Sequence, residues 1–266
     1  MSSTALSIID FSVSEAGQLA AHPLVSLGNI STISYAFLKT LTVGMRVNAF
    51  LKERLNSWTA EQRGLHLWNV AGQEWAGPIL TFADIRLRGF GHREVDWSQN
   101  YVVAVNHTSA IDALVVPFCV PRGRIVAKAE ALKFPVLGKA IAYGSQIMVN
   151  REDGSGMSSV REAMKDWLDC NVVFFVEGTR SLNGEISPFK AGAFKLSQEL
   201  SRPILPIYIG GAYDALPKGP FLALKRSRQL TVSFGRPIPS GTGVDAQREA
   251  TVCEMHKMSV YERAFR

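Results

Sequence analysis

Residues 100–112 read NYVVAVNHTSAID, and this stretch sets the expected fold of the chain. The run 101–105 is apolar and rich in valine, which is typical of a buried strand. It stops just before His107, and Ser109 is a suitable residue to begin a helix with Asp112 in its first turn. We therefore predict a buried strand that has polar side chains at its carboxyl end and leads into a helix.

The same alternation of strands and helices continues from residue 84 to the end of the chain. The other β-rich runs are 85–90, 124–127, 146–149, 172–176, 204–209 and 229–234. Helix-length segments are predicted at 109–120, 130–143, 155–169, 191–200 and 244–265. This alternation predicts an α/β domain, residues 83–266, whose largely parallel sheet is covered by helices. Ligands of such sheets bind beyond the carboxyl ends of the strands, so the residues after each strand are the candidates for a site.

Residues 1–82 have a different pattern, and we assign them to a separate N-terminal part. An irregular lead-in is predicted over 1–28, followed by a helical pair near 30–56 and over 60–77. The first helix has an apolar stripe with basic residues among and after it. The stripe consists of Ile30, Ile33, Phe37, Leu41 and Met45. Such a helix can lie on a membrane surface, or it can pack against a protein core.

Charge and composition restrict the classes of function. The 266 residues carry a formal net charge of +6, so we expect an anionic partner: nucleic acid, a membrane surface or a phosphorylated substrate. The three cysteines lie far apart without metal-ligand spacing, which predicts neither a disulfide framework nor a metal site. The first residues do not predict a secretory signal. No apolar stretch reaches the roughly 18 residues of a membrane span, because Lys39 and Arg46 interrupt the best candidate.

Polar residues follow three of the predicted strands, at 106–112, 150–151 and 177–181. If the strands are parallel, the three groups meet at one edge of the sheet. His107 can remove a proton from a hydroxyl group if Asp112 holds the other ring nitrogen. A histidine and an aspartate at this spacing also occur by chance, so the pair alone does not establish a site.

Arg151 and Arg180 are candidates for anion binding, because a guanidinium group matches two oxygens of a phosphate. Gly178 would let the backbone approach a ligand closely. Each arginine could instead form a surface salt bridge, and Glu177 could orient one of them. The motifs of serine hydrolases, zinc peptidases, P-loop nucleotidases and Rossmann dehydrogenases do not occur in the sequence. Nucleic-acid binding is not expected, since the sequence has no basic cluster interleaved with aromatic residues.

Taken in order, these strand ends resemble the four motifs of the glycerolipid acyltransferase family, which includes the 1-acylglycerol-3-phosphate acyltransferases. Residues 106–112 match the first motif, N-H-x-S-x-x-D, in full. Residues 147–151, IMVNR, resemble the second motif, and residues 175–181, FVEGTRS, resemble the third with valine in place of proline. Residues 204–209, ILPIYI, are similar to the fourth, an apolar strand around a proline. Four motifs in this order are far more specific than any one of them.

The resemblance implies transfer of a fatty acyl group from acyl-CoA or acyl-carrier protein to the free hydroxyl of a lysophospholipid. The favoured acceptor is 1-acylglycerol 3-phosphate, which would give phosphatidic acid. His107 would be the general base and Asp112 its orienting partner. Lys128, just after the run 124–127, would add a positive charge to the acceptor-phosphate site. By the same resemblance, that site would consist of Arg151, Glu177, Gly178, Thr179 and Arg180.

The resemblance also implies that no metal or redox cofactor is required, and it makes membrane docking the favoured interpretation of residues 30–56. We therefore expect a peripheral or monotopic protein at the cytoplasmic side of a membrane. Other acceptors stay open: glycerol 3-phosphate, a lyso-ornithine lipid or another lysophospholipid. Outside the enzyme class, the alternative is a non-catalytic lipid-binding protein.

Overall fold

The predicted alternation of strands and helices is present in the computed structural model. The structure describes residues 8–10, 28–54, 56–128, 146–149, 156–166, 169–219 and 224–264. The strands within these residues are β1 (Ile8–Asp10), β2 (Ile85–Phe90), β3 (Val102–Val105), β4 (Gly123–Lys128), β5 (Gln146–Val149), β6 (Asn171–Phe175), β7 (Ile204–Gly210) and β8 (Arg228–Phe234). The helices are α1 (Gly28–Arg54), α2 (Ala60–Val70), α3 (Gly77–Phe82), α4 (Asp112–Cys119), α5 (Gly156–Asp166), α6 (Gly192–Leu200), α7 (Ala212–Ala215) and α8 (Val244–Ala264).

The described residues divide into two units. The first unit comprises the described residues within 1–22, 83–113 and 174–266, and the second those within 23–82 and 114–173. One unit boundary falls after residue 82, but the described residues within 114–173 group with those within 23–82 and not with the rest of 83–266. The functional division into an N-terminal part and an α/β domain stays a prediction.

In the first unit the strands lie in the order β1-β2-β8-β7-β3. The pairs β2–β8 and β3–β7 are parallel, and the pairs β1–β2 and β7–β8 are antiparallel. All four residues of β3 are buried, as expected for an apolar strand that is covered on both faces. The backbone N–H of Val176, just after β6, donates to the carbonyl of Val105 at 3.1 Å. The carboxyl ends of β3 and β6 therefore lie side by side.

In the second unit β4 pairs in parallel with both β5 and β6. The indole Nε1 of Trp68 on α2 donates to the carbonyl of Val120 at 2.7 Å, just before β4. Gly123 is required here, since a Cβ at this position would lie 2.1 Å from the Trp68 ring. Together the two units confirm the predicted α/β fold with a largely parallel sheet and N-terminal helices.

Some element boundaries differ from the predictions. The predicted lead-in contains β1, which pairs with β2. The predicted helix 60–77 continues through a π-helical turn, Ala71–Ala76, and ends at Phe82. Gly72 at this turn passes close to Pro117 of α4, where a Cβ would lie 3.1 Å from the proline carbonyl oxygen. The predicted helix 130–143 lies outside the described residues.

Helix α1 leaves part of its predicted apolar stripe uncovered. Its inner face packs in the second unit on a cluster made of Val43, Val47, Leu51, Leu67 and Val70. By contrast, Phe37, Leu38 and Met45 are 70%, 58% and 51% exposed. Among the described helices, none combines the length and the apolar character needed to cross a membrane.

Candidate active site

Asn106, the first residue after β3, fixes the point at which the chain leaves the sheet. Its buried side chain donates to the carbonyl of Ile209 at 3.0 Å and accepts the N–H of Ile209 at 2.7 Å. The amide thus makes the pair of hydrogen bonds with β7 that a strand backbone would make. The backbone can turn away at this point, and His107 is placed at the edge of the sheet.

His107 and Asp112 lie within hydrogen-bonding distance, as expected from the sequence. The distance from Nδ1 of His107 to Oδ2 of Asp112 is 3.0 Å; the carboxylate is fully buried and the imidazole is 17% exposed. A carboxylate at Nδ1 favours the tautomer that carries its proton there, so Nε2 keeps a free lone pair. Nε2 has no hydrogen-bond partner among the described residues. The imidazole is therefore arranged to accept a proton.

The carboxylate of Asp112 also holds the turn between β3 and α4. Its Oδ2 accepts the backbone N–H groups of Thr108 and Ser109, each at 2.8 Å. The sequence predicts that Ser109 starts the helix, but α4 begins at Asp112. The Ser109 hydroxyl accepts the N–H of Ile111 at 3.1 Å in the turn before the helix, and it donates to the carbonyl of Leu216 at 2.7 Å. The turn that leads into α4 therefore fixes the Asp112 carboxylate, which faces His107.

Glu177 lies beside the backbone of His107 and is only 2% exposed. Its Oε1 accepts the backbone N–H of His107 at 2.7 Å, and its Oε2 accepts the backbone N–H of Ser187 at 2.9 Å. Burial raises the pKa of Glu177, and the two N–H groups lower it in part. Both oxygens of a residue predicted for the acceptor-phosphate site thus bind backbone groups.

The residues around Glu177 hold His107 from other directions. Gly178 has a φ of +74°, which glycine adopts without strain, and its N–H donates to the carbonyl of Phe175 at 2.9 Å. The turn brings in Ser181, whose N–H donates to the carbonyl of His107 at 2.8 Å. The Phe175 ring stacks on the imidazole with 4.1 Å between ring centroids. The N–H, the carbonyl and the ring of His107 are therefore all restrained.

Two cations of the first unit are carried by segments that contact the His107 turn. Arg180 is partly buried and has no hydrogen bond or ion pair with a described residue. Lys218 donates to the hydroxyl of Thr179 at 3.4 Å, and it follows Leu216, the partner of Ser109. The sequence does not point to Lys218, because the contact spans 39 residues and belongs to none of the four motifs. Positive charge of this kind suits a phosphate group.

Comparison with known proteins shows which proteins the chain is similar to. Residues 86–210 match the model of the Acyltransferase family. A 1-acyl-sn-glycerol-3-phosphate acyltransferase of Limnanthes douglasii is 30% identical over 178 residues, which cover 65% of this chain and 62% of that protein. These matches support the predicted resemblance to the glycerolipid acyltransferase family. The human 1-acyl-sn-glycerol-3-phosphate acyltransferase alpha is 37% identical over 138 residues, covering 49% of this chain and 47% of that protein.

A solved structure has the same fold as this chain. The crystal structure of PlsC, the 1-acyl-sn-glycerophosphate acyltransferase of Thermotoga maritima, matches with a TM-score of 0.72. The match covers 88% of this chain and 97% of that chain at 19% sequence identity. The chain spans 62% of the length of the Limnanthes relative.

The structure brings together most of the residues predicted from the glycerolipid acyltransferase motifs. The first unit contains His107, Asp112, Glu177, Gly178, Thr179 and Arg180. Lys128 ends β4 in the second unit, but its side chain and the whole of Arg151 lie outside the described residues. In the part of the chain that is described, no group of three or more His, Cys, Asp or Glu side chains could hold a metal ion. The roles of all eight residues stay predictions.

Proposed function

We propose that this protein transfers a fatty acyl group from a thioester to the free hydroxyl of 1-acylglycerol 3-phosphate, giving phosphatidic acid. The thioester is acyl-CoA or acyl-carrier protein. The main support for the proposal is the imidazole of His107. Its Nδ1 lies 3.0 Å from Asp112, and its Nε2 has no hydrogen-bond partner among the described residues. The names of the Limnanthes and human relatives support this acceptor.

His107 acts as the general base of a direct transfer. Nε2 takes the proton of the acceptor hydroxyl as the hydroxyl oxygen attacks the thioester carbonyl carbon. The carbon–sulfur bond then breaks, and the leaving thiolate receives the proton from the imidazolium. Asp112 stabilises the imidazolium through its contact with Nδ1. The acyl group passes straight to the acceptor, so no protein side chain is acylated and the step requires no metal or redox cofactor.

The phosphate of the acceptor binds to the segment that contains Thr179 and Arg180. A guanidinium group can donate to two phosphate oxygens at once, and Lys218 adds a second positive charge beside Thr179. From the sequence, Lys128, which follows the run 124–127, and Arg151, in the second family motif, stay predictions for the same phosphate. A phosphate held at a fixed point orients the acceptor hydroxyl toward His107, which replaces a random encounter with a positioned one.

Replacing Arg180 with alanine is expected to raise the KM for 1-acylglycerol 3-phosphate by at least about 10-fold. A hydrogen bond to a charged group contributes about 1.5–3 kcal/mol, and 1.4 kcal/mol corresponds to a factor of ten. The assay uses radiolabelled acyl-CoA and four acceptors: 1-acylglycerol 3-phosphate, glycerol 3-phosphate, a lyso-ornithine lipid and phosphate-free 1-acylglycerol. The unsubstituted protein should convert the first of these to phosphatidic acid most efficiently, and the KM for acyl-CoA should not respond to the Arg180 change.

Arg248→Ala is the matched control for this assay. Arg248 pairs with Asp245 on α8 at 2.7 Å and should affect neither KM. Preference for another lysolipid in the panel would replace the proposed acceptor with that lipid. A protein that binds lysolipids but transfers no acyl group to any acceptor is a lipid-binding protein, and this result would end the enzymatic proposal.

Helix α1 docks the protein on a membrane, at the cytoplasmic side, as a peripheral or monotopic protein. This part of the proposal is supported by the exposed side chains Phe37, Leu38 and Met45. Lys52 and Arg54 are exposed at the end of the same helix. Apolar side chains that enter the lipid boundary, together with cations near anionic head groups, are the features of an interfacial helix.

Joint replacement of Phe37, Leu38 and Met45 with serine is expected to weaken binding to anionic vesicles by at least about 10-fold. Each apolar side chain contributes on the order of 1 kcal/mol when it leaves water, and 1.4 kcal/mol corresponds to a factor of ten. Flotation with phosphatidylglycerol–phosphatidylcholine vesicles measures the effect. The control replaces Val260 and Tyr261, 66% and 61% exposed on α8, with serine and should bind normally. Normal flotation of the α1 variant, or an equal loss in the control, contradicts docking through α1.

A further inference from the structure

Glu177 is, besides Asp112, a second buried carboxylate of the site, and its partners differ from those of a substrate ligand. Glu177 is only 2% exposed, so a substrate has almost no access to its carboxylate. Each carboxylate oxygen accepts one backbone N–H, from His107 at 2.7 Å and from Ser187 at 2.9 Å. The described residues show no ion pair between Glu177 and an arginine. The sequence alone left such a pair open, as a way to orient Arg151 or Arg180.

We infer that Glu177 is a positioning residue, which fixes the backbone of His107 and the far end of the 178–187 segment and does not contact the substrate. The inference deepens the proposed acyl transfer and rests on it, since it says what holds the general base in place.

The carboxylate joins three parts of the chain that are distant in sequence. Glu177 follows β6, its partner His107 is 70 residues earlier, and its partner Ser187 is 10 residues later. The contact to Ser187 closes the 178–187 segment into a loop, and this loop carries Thr179 and Arg180. One side chain therefore sets both the position of the base and the ends of the segment proposed to bind the acceptor phosphate.

The restraints on His107 complement one another. Glu177 holds its N–H, Ser181 holds its carbonyl at 2.8 Å, and Asp112 holds Nδ1 at 3.0 Å. A general base works only within hydrogen-bonding reach of the proton that it removes, and a displacement of about 1 Å can reduce turnover about 100-fold. Loss of the contact between Glu177 and the N–H of His107 is therefore expected to lower kcat.

Electrostatics argue against a direct role of Glu177 in binding the acceptor phosphate. An ionised carboxylate only accepts hydrogen bonds, and it repels the negative oxygens of a phosphate. Burial raises the pKa of Glu177, which shows that the environment disfavours the charged form, but both oxygens still receive N–H donors. A buried carboxylate with a backbone N–H donor on each oxygen is the arrangement of a structural clamp.

Glu177→Gln tests this inference, because glutamine keeps the size of the side chain but replaces one acceptor oxygen with an NH2 group. That NH2 group would face a backbone N–H, so one of the two contacts is lost. We expect kcat to fall at least about 10-fold, and the KM for 1-acylglycerol 3-phosphate to change by a smaller factor than kcat. A raised KM with preserved kcat would show that Glu177 acts on substrate binding and not on the position of His107, and it would overturn the inference.

Glu185→Gln is the matched control, since it makes the same chemical change in the same loop. The exposed Glu185 pairs only with the side chain of Arg263, at 2.9 and 3.0 Å, among the contacts described. Its substitution should leave kcat and both KM values unchanged. An equal fall in kcat for both variants would show a general sensitivity of the loop and count against a special role of Glu177.

Amide hydrogen exchange provides a second test that does not depend on turnover, and its first part uses only the unsubstituted protein. In the substrate-free protein, the amides of His107 and Ser187 should exchange slowly although they lie outside helices and strands. The amide of Ile209, held by Asn106 at 2.7 Å, is an internal reference that does not involve Glu177. In Glu177→Gln, at least one of the two amides should exchange faster relative to Ile209. Exchange at unprotected rates in the starting protein would refute the clamp.

The two proposals fail in different ways. If the protein acylates no acceptor in the panel, acyl transfer is wrong, and the exchange rates still decide whether Glu177 holds His107. If acylation occurs and Glu177→Gln alters only the KM for the lysolipid, the clamp is wrong and acyl transfer stands.

Discussion

Replacing His107 with alanine is expected to lower kcat by at least about 100-fold while lysolipid binding is retained. Without the imidazole, no group takes the proton from the acceptor hydroxyl as it attacks the thioester. The residues assigned to the acceptor phosphate are unchanged, so the lysolipid should bind with similar affinity. Release of radiolabelled phosphatidic acid measures turnover, and equilibrium binding of the lysolipid is measured on the same preparation.

His256→Ala is the matched control for His107→Ala, because His256 is exposed on α8. It should leave turnover unchanged. The experiment also separates an enzyme from a lipid-binding protein, since the function of a binding protein would survive the loss of His107. If His107→Ala retains more than about one tenth of the turnover, His107 is not the general base.

The positions of most strands could be predicted because the signal is local. β3 and β7 are apolar runs buried along their whole length, and such runs are recognisable without knowledge of their neighbours. β1 has only three residues, and it becomes a strand through antiparallel pairing with β2, which lies far along the chain. Short stretches that depend on a distant partner carry no comparable sequence pattern.

The same distinction applies to the candidate site. His107 and Asp112 are five residues apart, so their contact follows from a strand end and a single turn. The hydroxyl of Ser109 was expected at a helix start, but it binds the carbonyl of Leu216, 107 residues later. Each oxygen of Glu177 accepts a backbone N–H group, which every residue except proline has and which no motif can mark. The sequence thus predicts the candidate side chains of the site, and only the fold shows what holds them in place.

Replacing Asp112 with asparagine is expected to lower kcat by about 1,000-fold and the free energy of unfolding by about 1–3 kcal/mol. Oδ2 of Asp112 faces three N–H groups, from His107, Thr108 and Ser109. Asparagine can serve all three with its single oxygen only if its NH2 group takes the place of Oδ1. Oδ1 is buried without a hydrogen-bond partner among the described residues. A buried NH2 group without an acceptor accounts for the lost stability.

The loss of turnover in Asp112→Asn has a separate cause. A neutral amide does not stabilise an imidazolium, and a rotated amide would point its NH2 group at Nδ1 and favour the tautomer that carries its proton on Nε2. His107 would then lack the lone pair that accepts the hydroxyl proton. Saturating kinetics and urea unfolding measure the two effects, with Asp96→Asn as control: Asp96 is exposed and also accepts a backbone N–H, from Ser98 at 3.0 Å. If Asp112→Asn loses stability but keeps kcat within about 10-fold, Asp112 holds only the turn, and the imidazole is oriented by Phe175 and the backbone contacts of His107 alone.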